Sequence, residues 1–179
     1  TSKANISCKL EEDGNITVDM GKPALQPSKI PFVADSTQLK YTLSLGSKYI
    51  HAFSISALNV GNPHAVITVA AADSAPVQEV GPLIESHPRF PEGVNVGFME
   101  IVSRKKIKLR VFERGVGETK ACGSGACAAV VAGRLQGVLD DTVNVQQAGG
   151  HLSVTWDGSN DTIKMTGPAC KVYEGRLQI

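Results

Sequence analysis

Between positions 113 and 135, thirteen residues holding four glycines, Glu-Arg-Gly-Val-Gly-Glu-Thr-Lys-Ala-Cys-Gly-Ser-Gly, run straight into Ala126-Cys127-Ala128-Ala129-Val130-Val131-Ala132-Gly133-Arg134-Leu135. The second segment reads as a helix that is apolar on nearly all sides, with Gly137 placed to end it. Such a helix belongs in the middle of a core, so the rest of the chain has to cover it. At 179 residues the chain is long enough to bury roughly 70% of its unfolded surface, and we read 1–179 as a single domain.

The cover reads mostly as short strands. Glycine and proline make up 27 of 179 residues, about 15% against the roughly 12% of average usage, which signals many turns. Alternation or apolar runs mark strands at Ile6 to Leu10, Asn15 to Met20 after an Asp13-Gly14 hairpin turn, Tyr41 to Leu45, Phe53 to Ser56, Ala65 to Val69 and Asn95 to Val102. Further strands fall at Lys106 to Phe112, Val143 to Val145, Leu152 to Trp156, Ile163 to Met165 and Lys171 to Tyr173. Residues 22 to 35 hold three prolines and read as a surface run. Asp73 and Ser74, followed by Ala75-Pro76, resemble a cap for a helix carrying Val77, Val80, Leu83 and Ile84, which Gly81-Pro82 weakens.

With 18 basic and 17 acidic side chains and a 42% apolar share, neither a polybasic nucleic-acid binder nor a disordered tail is expected. No apolar run approaches the ~20 residues that span a bilayer, so no membrane partner is expected either. Cys8, Cys122, Cys127 and Cys170 form no CxxC pair or dense framework, and a reducing, cytoplasmic setting is the default. The chain opens on Thr1 without an initiator methionine. We expect an upstream part to be missing, with Thr1 marking the junction.

The chemistry concentrates in 113–125. Cys122 falls at the mouth of the apolar helix, whose first amides, around Gly123, Ser124 and Gly125, have no intrahelical partner. Such an end attracts a carboxylate or phosphate and favours thiolate, so a lowered Cys122 pKa is expected. The alternative is a tight turn in which Cys122 packs as a small apolar residue. Glu113, Arg114 and Glu118 share the loop and bring the two readings to an even footing, but position alone names no reaction. Gly61-Asn62-Pro63-His64 reads as a turn entering a strand: Asn62 either aims its amide at a ligand or bonds its own backbone, and His64 is a ligand contact or a satisfied core histidine. Asn95 is equally open.

Gly123-Ser124-Gly125-Ala126-Cys127-Ala128 fits the G-x-G-x-x-A dinucleotide pattern, yet ten residues separate it from a half-charged strand, so nucleotide binding is not expected. Cys122 and Cys127 lie about 140° apart round a helix, and no histidine sits three or four residues from another ligand, so no metal site is expected. Cys127, Cys8 and Cys170 read as core residues, and His51, His87 and His151 show no partner.

Gly61-Asn62-Pro63-His64, Pro88-Arg89-Phe90-Pro91 with Asn95-Val96, Met165-Thr166-Gly167-Pro168-Ala169 and above all Glu113-Arg114-Gly115-x-Gly117-Glu118-Thr119-x-Ala121-Cys122-Gly123-Ser124-Gly125 closely resemble diaminopimelate epimerase. The resemblance runs over essentially all of the chain but only to the C-terminal half of the family's. It implies an α+β fold: a strongly curved, barrel-like antiparallel sheet wrapped round a central apolar helix, one of two pseudo-symmetric halves with the active site between them.

It implies a cofactor-independent isomerase that interconverts LL- and meso-diaminopimelate for lysine and cell-wall synthesis, using one cysteine from each half as acid and base. By that resemblance Cys122 is one of the pair, Glu113 tunes it, and His64 helps the partner cysteine. The amides of Gly123 and Ser124 would hold the reacting carboxylate, and Asn62, Asn95, Glu113 and Arg114 the rest of the substrate. Tyr173 would be a contact of a possible homodimer. The other half's cysteine has no counterpart here, so the expectation is a C-terminal domain that lacks its N-terminal partner half and is inactive alone. The competing readings are half of a related amino-acid racemase, a cysteine hydrolase or acyltransferase using Cys122, His64 and Glu113, and a non-catalytic β domain.

Overall fold

A computed structural model describes residues 6–46, 49, 52–158 and 161–177; His51 lies outside them. The strands are β1 (Cys8–Leu10), β2 (Ile16–Asp19), β3 (Tyr41–Leu43), β4 (Phe53–Asn59), β5 (Pro63–Val69), β6 (Asn95–Ser103), β7 (Lys106–Glu113), β8 (Gly117–Thr119), β9 (Thr142–Gln147), β10 (Gly150–Thr155) and β11 (Lys164–Gly167). Helix α1 (Val77–Glu85) joins β5 to β6, and α2 (Gly123–Leu135) joins β8 to β9. All the strands form one sheet in the order β1-β2-β11-β10-β9-β7-β6-β5-β4-β3, with β8 on β7. The fold is α+β, as expected. The sheet is open, however, and mixed rather than purely antiparallel, because β5 pairs with β6, and β7 with β9, in parallel. A parallel pair needs a long crossover, and α1 and α2 supply the two.

Side-chain alternation sends the central strands into two cores. Leu58, Val66, Met99, Leu109 and Val111 face one way and pack with α2, from Ala126 to Ala132, and with Val143, Val145 and Val154 of β9 and β10. Ala65, Ile67, Val96, Phe98 and Phe112 face the other way and pack with Val77, Val80 and Ile84 of α1. A strand buried on both faces carries a nearly continuous apolar run, which is what β5 and the first half of β6 show. Val77, Val80 and Ile84 of α1 are buried as its spacing predicts, whereas Leu83 is 38% exposed. Helix α2 is buried from Gly125 to Gly133, and Gly137, at φ +73°, ends it as expected.

Four expectations fail for physical reasons. Asp73 does not cap α1, which starts after Pro76; it pairs with Lys108 at 2.8 Å, while Arg110 donates to the carbonyls of Ala72, Asp73 and Ala75. Gly81 stays within α1 and lets it approach the sheet: a Cβ there would lie 2.6 Å from the Phe112 ring. Residues 22 to 35 are not all at the surface, since Ile30 and Phe32 are buried in the α1-side core. Lys171 to Tyr173 form no strand; Val172 is 85% and Tyr173 84% exposed. Cys8 and Cys170 are exposed rather than core residues, Cys8 because β1 ends the sheet and only β2 flanks it, Cys170 because its segment has no strand partner. Among the described residues no helix is long and apolar enough to cross a membrane.

Candidate active site

Three strand ends and one helix end converge. In the β5–β6 register His64 stands beside Asn95, and the β6–β7 register, with Val96 opposite Phe112, sets Asn95 beside Glu113. The three therefore form a row across the sheet. They alternate in phase with Val66, Gly97 and Val111, so all three belong to the face that carries α2. The first turn of α2, with Cys122 as its N-cap residue, lies over that row.

Cys122 is only 6% exposed. Its Sγ donates to Glu113 Oε2 at 3.2 Å, and Thr119 Oγ1 donates to the other oxygen of Glu113 at 2.5 Å. Glu113 and Thr119 meet because β7 and β8 form a tight hairpin whose turn holds Gly115 at φ +74° and Gly117 at φ +99°. At Gly125 a Cβ would sit 3.0 Å from Val111 Cγ2 and 3.3 Å from Cys122 Sγ, so glycine lets the helix end settle here without pushing either neighbour aside.

The expected lowering of the Cys122 pKa does not hold. Burial pushes the thiol up, the Ser124 hydroxyl and the Gly125 amide pull it down, and the hydrogen bond and charge of Glu113 push it up again. The helix-end contribution is real but is outweighed by burial, so Cys122 rests as a thiol. Deeper in the same helix, burial drives Cys127 up to about 12.

On the opposite side of Cys122, Ser124 Oγ lies 3.6 Å from Sγ and 3.1 Å from His64 Nε2, which is also 2.9 Å from Asn62 Oδ1. A carbonyl oxygen can only accept, so with the Asn62 amide in this orientation Nε2 carries the ring proton. Nδ1 is then a buried lone pair without a protein partner. Burial, reinforced by the Arg114 charge, lowers the His64 pKa to about 3 and keeps the ring neutral. His64 thus reaches the thiol only through Ser124, which does not suit a direct Cys–His nucleophile pair.

Asn95 is largely committed. Its Nδ2 donates to Pro63 O at 2.9 Å and its Oδ1 accepts from the Arg114 N–H at 3.1 Å, tying β5 to the end of β7. One amide hydrogen and one lone pair remain for a ligand. Arg114 is exposed, and its Nη1 donates to Glu92 O at 2.7 Å. Gly115 N–H donates to Glu85 Oε1 at 2.6 Å, so the end of α1 holds the hairpin.

All the expected site residues except Tyr173 therefore meet at one end of the sheet. The sequence reading missed the Ser124 hydroxyl, Thr119 and Gln147. Gln147 could have been found from the alternation Val143-x-Val145-x-Gln147, which puts an amide at an inward position. Chemically, the site offers an acid, a carboxylate that can take its proton, and unpaired helix-end amides for an anion. Among the described residues no second thiol joins it: Cys127 lies in the core and the other two are exposed.

Comparison with known proteins shows the family of the chain. A family profile described as diaminopimelate epimerase matches residues 56–172. The chain is 51% identical over its whole length to the diaminopimelate epimerase of Thioalkalivibrio sulfidiphilus, and 50% identical over its whole length to that of Nitrosomonas eutropha. It spans 64% and 63% of those relatives' lengths. Among solved structures, a hydroxyproline epimerase from Agrobacterium vitis aligns with TM-score 0.63 at 13% identity, over 91% of this chain and 54% of its own. A probable proline racemase from Agrobacterium radiobacter aligns with TM-score 0.61, at the same identity and coverage. These two likenesses concern the fold.

Proposed function

Because the chain belongs to the diaminopimelate epimerase family, we propose that it is the C-terminal half of an enzyme that inverts one α-carbon of diaminopimelate without a cofactor. The observation that carries this reading is the Cys122 thiol, which donates to Glu113 beside the unpaired amides of Gly123 and Ser124. The other half, supplied by the N-terminal part of the same polypeptide, brings the second cysteine. Relatives about one and a half times as long as this chain leave room for it. In this arrangement the two halves are pseudo-symmetric, each a curved sheet about its apolar helix, with the substrate between them.

A thiolate from the other half removes the α-proton, and the electron pair left on carbon spreads into the α-carboxylate, where the Gly123 and Ser124 amides stabilise it. The Cys122 S–H then delivers its proton to the opposite face, leaving a Cys122 thiolate and a thiol on the other half. In the reverse direction that form is the starting point, with the Cys122 thiolate as base and the other half's thiol as acid. The two forms interconvert through solvent: the other half's cysteine takes up a proton, and Cys122 gives one up by way of Glu113. Ser124 donates to the Cys122 thiolate, and neutral His64 holds Ser124. The remaining hydrogen and lone pair of Asn95, with Asn62 and the Arg114 guanidinium, receive the distal end of the zwitterion. The setting is a cytoplasmic enzyme of lysine and peptidoglycan precursor synthesis, a homodimer in which Tyr173 is a contact.

The test is Cys122→Ser in the full-length polypeptide. Stereoinversion and α-proton exchange of LL-diaminopimelate in D2O should fall about 10²- to 10⁴-fold, the range of a lost general acid–base group, with the fold retained by circular dichroism. Retained inversion would overturn the reading. The 179-residue chain alone should show no inversion, and measurable turnover would remove the requirement for a partner half.

A further inference from the structure

We propose that Gln147 is a positioning residue for the reacting thiol, holding Cys122 by its main chain; this rests on the assignment of Cys122 as the reacting group. Gln147 ends β9 and is buried. Its Oε1 accepts from Cys122 N–H at 2.6 Å, and its Nε2 donates to Cys122 O at 3.1 Å. The amide can lie only this way round, because the peptide N–H needs an acceptor and the carbonyl a donor. Gln147 therefore pairs with Cys122 as a neighbouring strand would, with a side chain standing in for a peptide unit.

The pairing has a physical purpose. An N-cap residue leaves the strand-like region of backbone space just before the helix begins, and Cys122 sits at φ −139°, ψ 107°. No well-formed capping bond joins its side chain to the helix; the Gly125 amide favours the thiolate, while the sulfur turns to Glu113 and Ser124. A serine or asparagine cap fixes itself by bonding back to the helix. Cys122 has a weaker anchor of that kind and takes a second one from β9. Next to it, Gly149 N–H donates to Lys120 O at 2.7 Å, and a Cβ at Gly149 would lie 3.0 Å from Ala121 Cβ and 3.1 Å from Lys120 O. The β9–β10 turn thus seats closely against residues 120–122 and delivers the Gln147 amide. Among the described residues Gln147 hydrogen-bonds the site through the Cys122 main chain alone, so its effect on the reaction passes through that backbone.

The experiment compares Gln147→Leu and Gln147→Glu with the natural full-length enzyme, using LL-diaminopimelate as substrate and iodoacetamide alkylation of Cys122, followed by mass spectrometry, as a substrate-free probe. Gln147→Leu keeps the volume and removes both hydrogen bonds. It should lower kcat roughly 10- to 100-fold with KM changed less than about threefold, as expected when a reacting group is misplaced but the binding groups are not. The pH midpoint of Cys122 alkylation should move towards that of an ordinary cysteine, a readout that loss of stability alone does not move. Gln147→Glu tests the same contact if the leucine variant does not fold. Its protonated carboxyl matches the amide and its ionised form sets an oxygen against Cys122 O, so its kcat relative to the natural enzyme should fall as pH rises. Unchanged kcat and alkylation midpoint in a folded Gln147 variant overturn the proposal. Full activity of Cys122→Ser overturns instead the assignment of Cys122 on which it rests.

Discussion

Helix α2 carries two cysteines five residues apart, both nearly inaccessible, with opposite chemistry. Cys122 is 6% exposed and Cys127 0%. Burial raises both thiols, but Cys127 is surrounded by the apolar core and its thiol is driven up to about 12. Around Cys122 the same burial is partly offset by the Ser124 hydroxyl and the Gly125 amide, and Glu113 accepts the hydrogen bond of the thiol. Exposure does not separate these two residues. What separates them is which backbone groups are still unpaired where they sit: at the helix end the Gly125 amide acts on the thiol, whereas five residues further in the amides are spent on the helix itself.

The largest effect that could break this comparison comes from exchanging sulfur for oxygen at each site. Cys122→Ser should remove about 10²- to 10⁴-fold of turnover with little change in Tm. Cys127→Ser should leave kcat per folded molecule unchanged and cost about 1–3 kcal/mol of stability, because a hydroxyl is then buried in the apolar core. Chemical denaturation and steady-state kinetics on the same preparations separate the two. Loss of turnover in a folded Cys127→Ser enzyme would mean that the helix body also takes part in the chemistry.

A smaller but directional effect comes from His64, the buried polar group on the other side of the site. Its folded pKa of about 3 lies below the ordinary value of 6.5, so the unfolded chain takes up a proton that the folded one refuses. The stabilising contribution is complete above pH 6.5 and is lost as pH falls from there towards about 3, at up to about 1.4 kcal/mol per pH unit. Urea denaturation between pH 7 and about 5, above the carboxylate range, should show this slope, and His64→Gln should flatten it. A natural enzyme equally stable at both ends of that range would mean that His64 is charged or solvated in the folded state.

Much of this was legible in the sequence, for identifiable reasons. The helix ending at Leu135, the alternating strands and the helix end at Cys122 follow from periodicity and from glycines, which act locally. The parallel pairs β5–β6 and β7–β9 were not legible, because antiparallel and parallel strands alternate alike and only the crossovers tell them apart. The sign of the Cys122 shift was missed because the helix end is a local feature, whereas its burial and the Glu113 hydrogen bond depend on a sheet assembled from distant segments. Asn95 was read as a ligand contact, and its two backbone bonds, to Pro63 and Arg114, depend on the same assembly.

The smallest effect is expected at Thr119, and it sharpens the comparison most. If Cys122 differs from Cys127 because a carboxylate is held where it can take the proton, loosening that carboxylate should erode the difference without touching either sulfur. Thr119→Val keeps the shape and removes the hydroxyl that donates to Glu113 Oε1 at 2.5 Å. Thr119 is half-buried and Glu113 retains its bond to the thiol, so stability should fall by only about 1 kcal/mol. Turnover should fall about tenfold, since one charge-assisted bond of about 1.5–3 kcal/mol no longer orients the proton acceptor. The loss should be larger in the direction in which Cys122 is the base, where its proton must first leave to solvent by way of Glu113, than in the direction in which it starts as the acid. Because the overall equilibrium constant cannot change, that asymmetry is to be read from pre-steady-state exchange of the α-proton starting from each stereoisomer. Equal losses from both sides would show that Glu113 serves only to hold the thiol and not to accept its proton.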